Sequence, residues 1–240
     1  MTTSRPLASV PKWLILGFTL TLLLQIAVNQ QRGQKDRPIK PIPPAPDKHL
    51  MTALSFGNPA WTSRLLSIWL QNQDYQRGAS LALDQLNYAT VEDWLSLQLN
   101  LDPHSRYPMM AAMHYYGEVT NQAKIRQMIK FVEKKFTENP MYYWRWMADA
   151  VVKARHKLQD NKYAYELAEQ LAKATYDLPV PSWVQQIHIF LMEDMGEEKA
   201  AALLLGALLS SGTIIREEEI NFLQHRLNKM HTKIDEESSN

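Results

Sequence analysis

The sequence predicts an all-α protein, and three observations carry that prediction. Leu and Ala supply 53 of the 240 residues, against 22 for Val and Ile and only 8 for Gly. That bias favours helix formers over the β-branched residues and glycine turns that sheets use. Helix-start signals, an Asn, Ser or Thr cap or a proline at the first helical position, recur along the chain. Beyond residue 50 no segment alternates with period two. Hydrophobic residues at 45% and charged residues at 21% permit a packed core and exclude wholesale disorder. Cysteine is absent, which removes disulfides, thiolate catalysis and cysteine-held zinc or iron–sulfur centres.

The N-terminal fifth differs from the rest. Residues 1–49 carry seven basic and two acidic side chains, a net +5, and residues 50–240 a net −4; the total of +1 exerts no global pull toward nucleic acid. After a short basic tail, 1–12, comes WLILGFTLTLLLQIAV at 13–28, inside a charge-free gap of 19 residues between Lys12 and Arg32. At 1.5 Å per residue the gap reaches roughly 28 Å, close to the ~30 Å hydrocarbon core. This predicts a transmembrane anchor over 13–31, with Trp13 at the interface and Leu14, Ile15, Leu16, Phe18, Leu20, Leu22, Leu23, Leu24, Ile26 and Val28 in lipid. A cleaved signal peptide competes, though Gln25 and Ala27 match a cleavage site poorly; a soluble helix is the third reading. The expected placement is single-pass in the inner (cytoplasmic) membrane with a periplasmic body. Flanking charges lean the other way, but a short basic-ended tail is the usual signal-anchor pattern.

Residues 32–49 form a proline-rich spacer. Prolines 38, 41, 43, 44 and 46 favour polyproline II, and the nine residues from Pro38 to Pro46 span about 28 Å at ~3.1 Å each. Its basic residues suit contact with anionic lipid. The sharper alternative is a ligand for a proline-binding module.

Residues 50–234 read as a chain of helix pairs, followed by an acidic, disordered tail at 235–240. Asn58-Pro59 and Asn139-Pro140 each place a cap before a proline at the first helical position. Thr90-Val91-Glu92-Asp93 and Ser182-Trp183-Val184-Gln185 resemble capping boxes. Pro108 opens MMAAMHYYG, and Thr120 caps the helix over 121–136. Gly196 and Gly212 break helices, and Glu217, Glu218 and Glu219 occupy the first turn of a last one, where the dipole favours acid. The helix-opening prolines 108, 140 and 181 lie 32 and 41 residues apart, each first helix being followed by a second at 121–136, 163–175 and 197–211. Pairs at this repeat mark an α-solenoid. The segments LDPHSRYPMMAAMHYYGEV at 101–119 and DMGEEKAAALLLGALL at 194–209 resemble the tetratricopeptide-repeat (TPR-like) superfamily over residues 100–211. The full Trp-Leu-Gly-Tyr consensus is complete in no copy. The expected architecture is about four helix pairs, with a divergent first pair at 50–100 and a capping helix at 214–231. The resemblance implies protein–protein interaction in assembling a membrane or envelope complex.

Catalytic signatures are missing: no glycine-rich phosphate loop, GxSxG, HExxH or EF-hand loop occurs. No enzyme activity, cofactor or metal is therefore expected. Met109, Met110, Met113 and His114 could hold Cu(I) through soft ligands, but methionine more often fills irregular core gaps. After Pro140, Met141, Trp144, Ala148 and Val151 form an apolar stripe, with Met147, Ala154 and Leu158 beside it. Tyr142, Arg145, Asp149, Lys153 and His156 form the opposite stripe and are the candidate partner-binding residues. Lys124, Arg126, Lys130, Lys134 and Lys135 make the helix before it basic, a patch for an acidic partner or an ordinary solvated face. The leading expectation is a non-catalytic scaffold holding a peptide or partner protein of unknown identity. The alternatives are a permanently bound accessory subunit of a larger complex and, last, a Met/His metal carrier.

Overall fold

The structure, a computed structural model, describes residues 11–31, 41–73, 75–76, 79–80, 83–212, 214 and 216–238. It is helical apart from one two-residue ladder. The chain divides into two units: residues 1–40 with 75–80, and residues 41–74 with 81–240.

The first unit contains helix α1 (Lys12–Gln31) and the antiparallel ladder of β1 (Tyr75–Gln76) with β2 (Ala79–Ser80), in the register Tyr75↔Ser80 and Gln76↔Ala79. The ladder lies within the stretch 50–100 that the sequence assigns to the divergent first pair. The side chains of α1 from Trp13 to Val28 are exposed. Among the described residues no helix is long and apolar enough to cross a membrane. This overturns the transmembrane anchor over 13–31, and with it the single-pass inner-membrane placement and the periplasmic body. The physical reason is length and content. The run Trp13–Val28 rises about 24 Å as a helix against a ~30 Å core. It also contains Thr19, Thr21 and Gln25, and Asn29, Gln30 and Gln31 close it.

The second unit carries α2 (Lys48–Ala53), α3 (Pro59–Gln73), a 3₁₀ turn (Leu83–Gln85) and α4 (Tyr88–Leu101). Then come α5 (Tyr107–Ala111), continued by a π-helical turn (Ala112–Tyr116), α6 (Gln122–Glu138), α7 (Pro140–His156) and α8 (Asn161–Ala174). The chain ends with α9 (Trp183–Asp194), α10 (Glu198–Ser210) and α11 (Glu217–Ser238). From α6 to α11 each successive pair of helices packs together. That nearest-neighbour stacking is consistent with an α-solenoid.

Local chemistry sets most boundaries. Asn58, Asn87, Asn121, Asn139 and Asp160 accept bonds from first-turn N–H groups of α3, α4, α6, α7 and α8, satisfying donors that a helix start leaves open. The cap of α4 is Asn87, three residues ahead of Thr90, and that of α6 is Asn121, next to Thr120. Ser182 precedes α9 without a side-chain cap bond. Gly196 and Gly212 have φ of 85° and 68°, the left-handed conformation that ends α9 and α10. α11 runs on to Ser238.

Two apolar clusters hold the unit together. The larger spans α3 to α9 around Leu95, Met109, Met113, Tyr116, Phe131, Phe136 and Met147, all buried. The smaller joins Ile189 of α9 to Ala201 and Leu205 of α10 and to Leu223 and Met230 of α11. Met109 and Met113 are wholly inside the first cluster. Met110 is half-buried and His114 is exposed, so the four side chains divide between core and surface.

The proline-rich segment departs from a free spacer where it is described. Ile42 is buried, and Trp94 of α4 donates from Nε1 to the Pro43 carbonyl at 2.8 Å. Residues 32–40 of the expected spacer lie outside the described residues.

Candidate interaction groove

α7 places the candidate residues. Asn139 accepts from the Tyr142 N–H at 3.4 Å, and Pro140 supplies the fixed φ of a first helical turn. The helix starts so that Met141, Tyr142, Trp144, Arg145, Ala148 and Asp149 project to one side. Opposite stands the segment from His104 to His114, and Pro179–Trp183 closes the end. Together they enclose a groove of about 1350 Å³.

The groove is aromatic with charged points. His104 meets Tyr142 edge-on at 4.8 Å between ring centroids, and Trp144 meets Trp183 at 6.0 Å. The Arg145 guanidinium sits 5.0 Å from the Trp144 ring centre, a cation–π contact that holds the fork at the surface. His114 Nε2 lies 3.0 Å from Asp149 Oδ2, and its ring packs against Trp146 at 5.8 Å. Beneath, the Tyr143 hydroxyl donates to the Pro103 carbonyl at 2.8 Å. Burial, with Glu138 and Asp102 nearby, raises the Tyr143 phenol above its ordinary value of 10.0, so it stays protonated and keeps donating.

Of the five expected contact residues, Tyr142, Arg145 and Asp149 line the groove. Lys153 does not. It is buried, and its ammonium pairs with Glu118. His156 is exposed but lies outside the groove. The reason is the chain crossing at Gly117. A Cβ there would lie 3.3 Å from Lys153 Cδ, and the next residue, Glu118, pairs with both Lys153 and Lys157, so residues 117–118 cover this part of the stripe. Trp144, assigned to the core by periodicity, is half-exposed on the groove wall, and Met141 is exposed beside it. Ala148 and Val151 of the same apolar stripe are buried, as are Met147, Ala154 and Leu158 beside it, and Tyr143 and Ala150 join them.

His104, Arg106, Tyr107 and the 179–183 turn are groove elements that sequence reasoning missed. Arg106 had no local signal: it is a polar residue ahead of a short helix, and only the packing of α5 on α7 brings it to the site. The basic face of α6 is largely engaged inside the protein. Arg126 pairs with Asp160 at 2.7 Å, the Lys124 ammonium donates to the Leu86 carbonyl at 2.9 Å, and Lys135 is buried beside Glu138.

A second, more apolar cavity of about 580 Å³ lies among α8, α9 and α10, walled by Ile189, Met192, Leu203, Leu204 and Leu208. His188 borders it, and burial pushes its imidazole pKa below the ordinary 6.5. Among the described residues no group of three or more His, Asp or Glu could hold a metal ion. Comparison with protein-family models, with curated proteins and with solved structures finds no match.

Proposed function

We propose that the protein is a non-catalytic interaction scaffold whose α5–α7–α9 groove holds a segment of a partner protein, as TPR-like arrays hold peptides. One observation carries this reading: Tyr142, Trp144, Trp146 and Trp183 converge with Arg106 and Arg145 in a single open groove. Tyr, Trp and Arg are the residues that most often dominate binding energy at interfaces. The aromatic rings offer faces for aliphatic or aromatic anchors, and the guanidinium forks suit a carboxylate. His114 and Asp149 bond to each other, which orients both across the groove.

The test is selection of peptides from a random library on the full chain, then titration of the selected peptides against variants. Trp183→Ala and Arg145→Ala should each weaken binding ~10-fold or more, about 1.4 kcal/mol, as truncated hot spots do. Unchanged affinity in variants that keep their circular dichroism refutes the groove.

The alternative of a permanently bound subunit of a larger assembly is favoured by a different face. Trp61, Leu65 and Ile68 of α3 are 60%, 59% and 57% exposed and form an i, i+4, i+7 stripe. If selected peptides lose affinity with Leu65→Ala and not with Trp183→Ala, this reading replaces the first.

A further inference from the structure

The groove leaves one motif unexplained, the proline-rich stretch. Its described part, residues 41–47, runs extended into α2, whose first turn Asp47 caps by accepting from the His49 and Leu50 N–H groups. Asp47 itself has φ −61° and ψ 139°, within the polyproline II region. Ile42 is buried, Pro43 and Pro44 are exposed, and Ala45 and Pro46 are half-buried, Ala45 packing against the core. Three residues per turn is the period of polyproline II, which puts 42 and 45 on one edge.

What that edge meets is equally specific. Ile42 belongs to the buried cluster that includes Leu70, Val91 and Trp94. The Trp94 ring lies 4.4 Å from that of Trp69 between centroids, and its Nε1–H donates to the Pro43 carbonyl at 2.8 Å. Four of the six residues 41–46 are prolines without an N–H, so carbonyls make up most of the segment's backbone handles; an indole N–H beside an aromatic wall reads one of them.

We propose that the Trp69–Trp94 face is a recognition site for proline-rich segments in the polyproline II conformation, with residues 41–47 as its resident ligand in cis. The ligand class is an extended segment with a small or aliphatic residue at every third position and prolines between, as in Pro41-Ile42-Pro43-Pro44-Ala45-Pro46. The resident segment competes with a proline-rich segment from another protein. A site that is closed most of the time shows an apparent affinity reduced by its open fraction.

The test uses the full chain and a fluorescein-labelled synthetic peptide of residues 41–49. Ile42→Asp with Ala45→Asp places two charges on the buried edge and vacates the site. This double variant should bind the peptide at least ~10-fold more tightly than the unaltered chain. Adding Trp94→Phe, which keeps a ring but removes the donor, should weaken binding about three- to tenfold. A peptide with glycine in place of Pro43 and Pro44 should bind more weakly still. The Trp94 indole N–H resonance should shift on vacating the site and return with peptide. A folded double variant that fails to bind, or binds no better than the unaltered chain, overturns the proposal. Loss of helical circular dichroism in the double variant overturns it too, because the segment is then a fixed part of the core. None of these substitutions lies on α5, α7 or α9, so failure here is distinguishable from failure of the groove.

Discussion

Glu118 and Lys153 form a pair whose two halves should respond very differently to mutation. The Lys153 side chain is 7% exposed and that of Glu118 is 42% exposed. Removing the carboxylate by Glu118→Ala leaves an ammonium buried without its partner. Breaking a fully buried pair in this way costs about 3–5 kcal/mol. Water reaches the Glu118 side, so about 2 kcal/mol is expected here. Lys153→Met keeps the buried stem and removes the charge. Glu118 then retains Lys157 at 3.0 Å and rehydrates, so the change should stay within ~1 kcal/mol. Urea unfolding followed by circular dichroism of both single variants and the double variant measures the asymmetry and the coupling. The pH dependence is a second reading. The Lys153 bond holds the Glu118 carboxyl below its ordinary 4.5. That stabilisation is complete above 4.5 and is lost as pH falls through the lowered folded-state value. Lys153→Met should flatten this part of the acid limb. Equal losses in the two single variants, or a greater loss for Lys153→Met, would refute the burial argument.

Three further outcomes follow from the structure. Gly117→Ala should destabilise by about 1–3 kcal/mol in urea unfolding, because its Cβ would lie 2.8 Å from the Met113 carbonyl oxygen and 2.9 Å from that of Ala112. Asp160→Ala removes both the α8 cap bond from the Tyr163 N–H at 3.0 Å and the Arg126 pair, and should cost about 1–2 kcal/mol by the same assay. His188 is held neutral by burial, so the unfolded chain binds its proton more readily, and folding stability should fall as pH drops below 6.5. His188→Leu should remove that slope from thermal melts taken across this range; an unchanged slope assigns it to another group.

The two proposed binding sites share a construction. In each, indole rings come from two separate elements: Trp144 and Trp183 from α7 and α9, Trp69 and Trp94 from α3 and α4. A cation or an N–H beside each pair offers one directional contact. Helical stacking makes such sites readily, because each interhelical seam leaves a furrow whose walls belong to different helices.

The helical class and most helix boundaries are legible in the sequence, because those signals are short-range. Asn58-Pro59, Asn139-Pro140, Gly196, Gly212 and the Glu217–Glu219 turn act within a few residues of themselves, and all five mark boundaries in the structure. Near Thr90 and Thr120 a neighbouring asparagine won, being as good a cap and standing ahead of the first buried turn. The apolar run at 13–28 is legible as a helix, but the uncharged gap is longer than the apolar run inside it, and the apolar length is what a hydrocarbon core has to match. Which residues form the groove is set by packing between helices. Periodicity divides α7 into two faces, whereas α6 and α8 each cover a side of it and the crossing at Gly117 covers part of a third. Lys153 therefore went inward although its spacing matched that of Tyr142 and Arg145, and Trp144 came to the surface. Arg106, Trp183 and the Trp94–Pro43 contact were decided at the same level, since each joins residues far apart in the chain, and a contact of that kind leaves no periodic trace in the residues that make it.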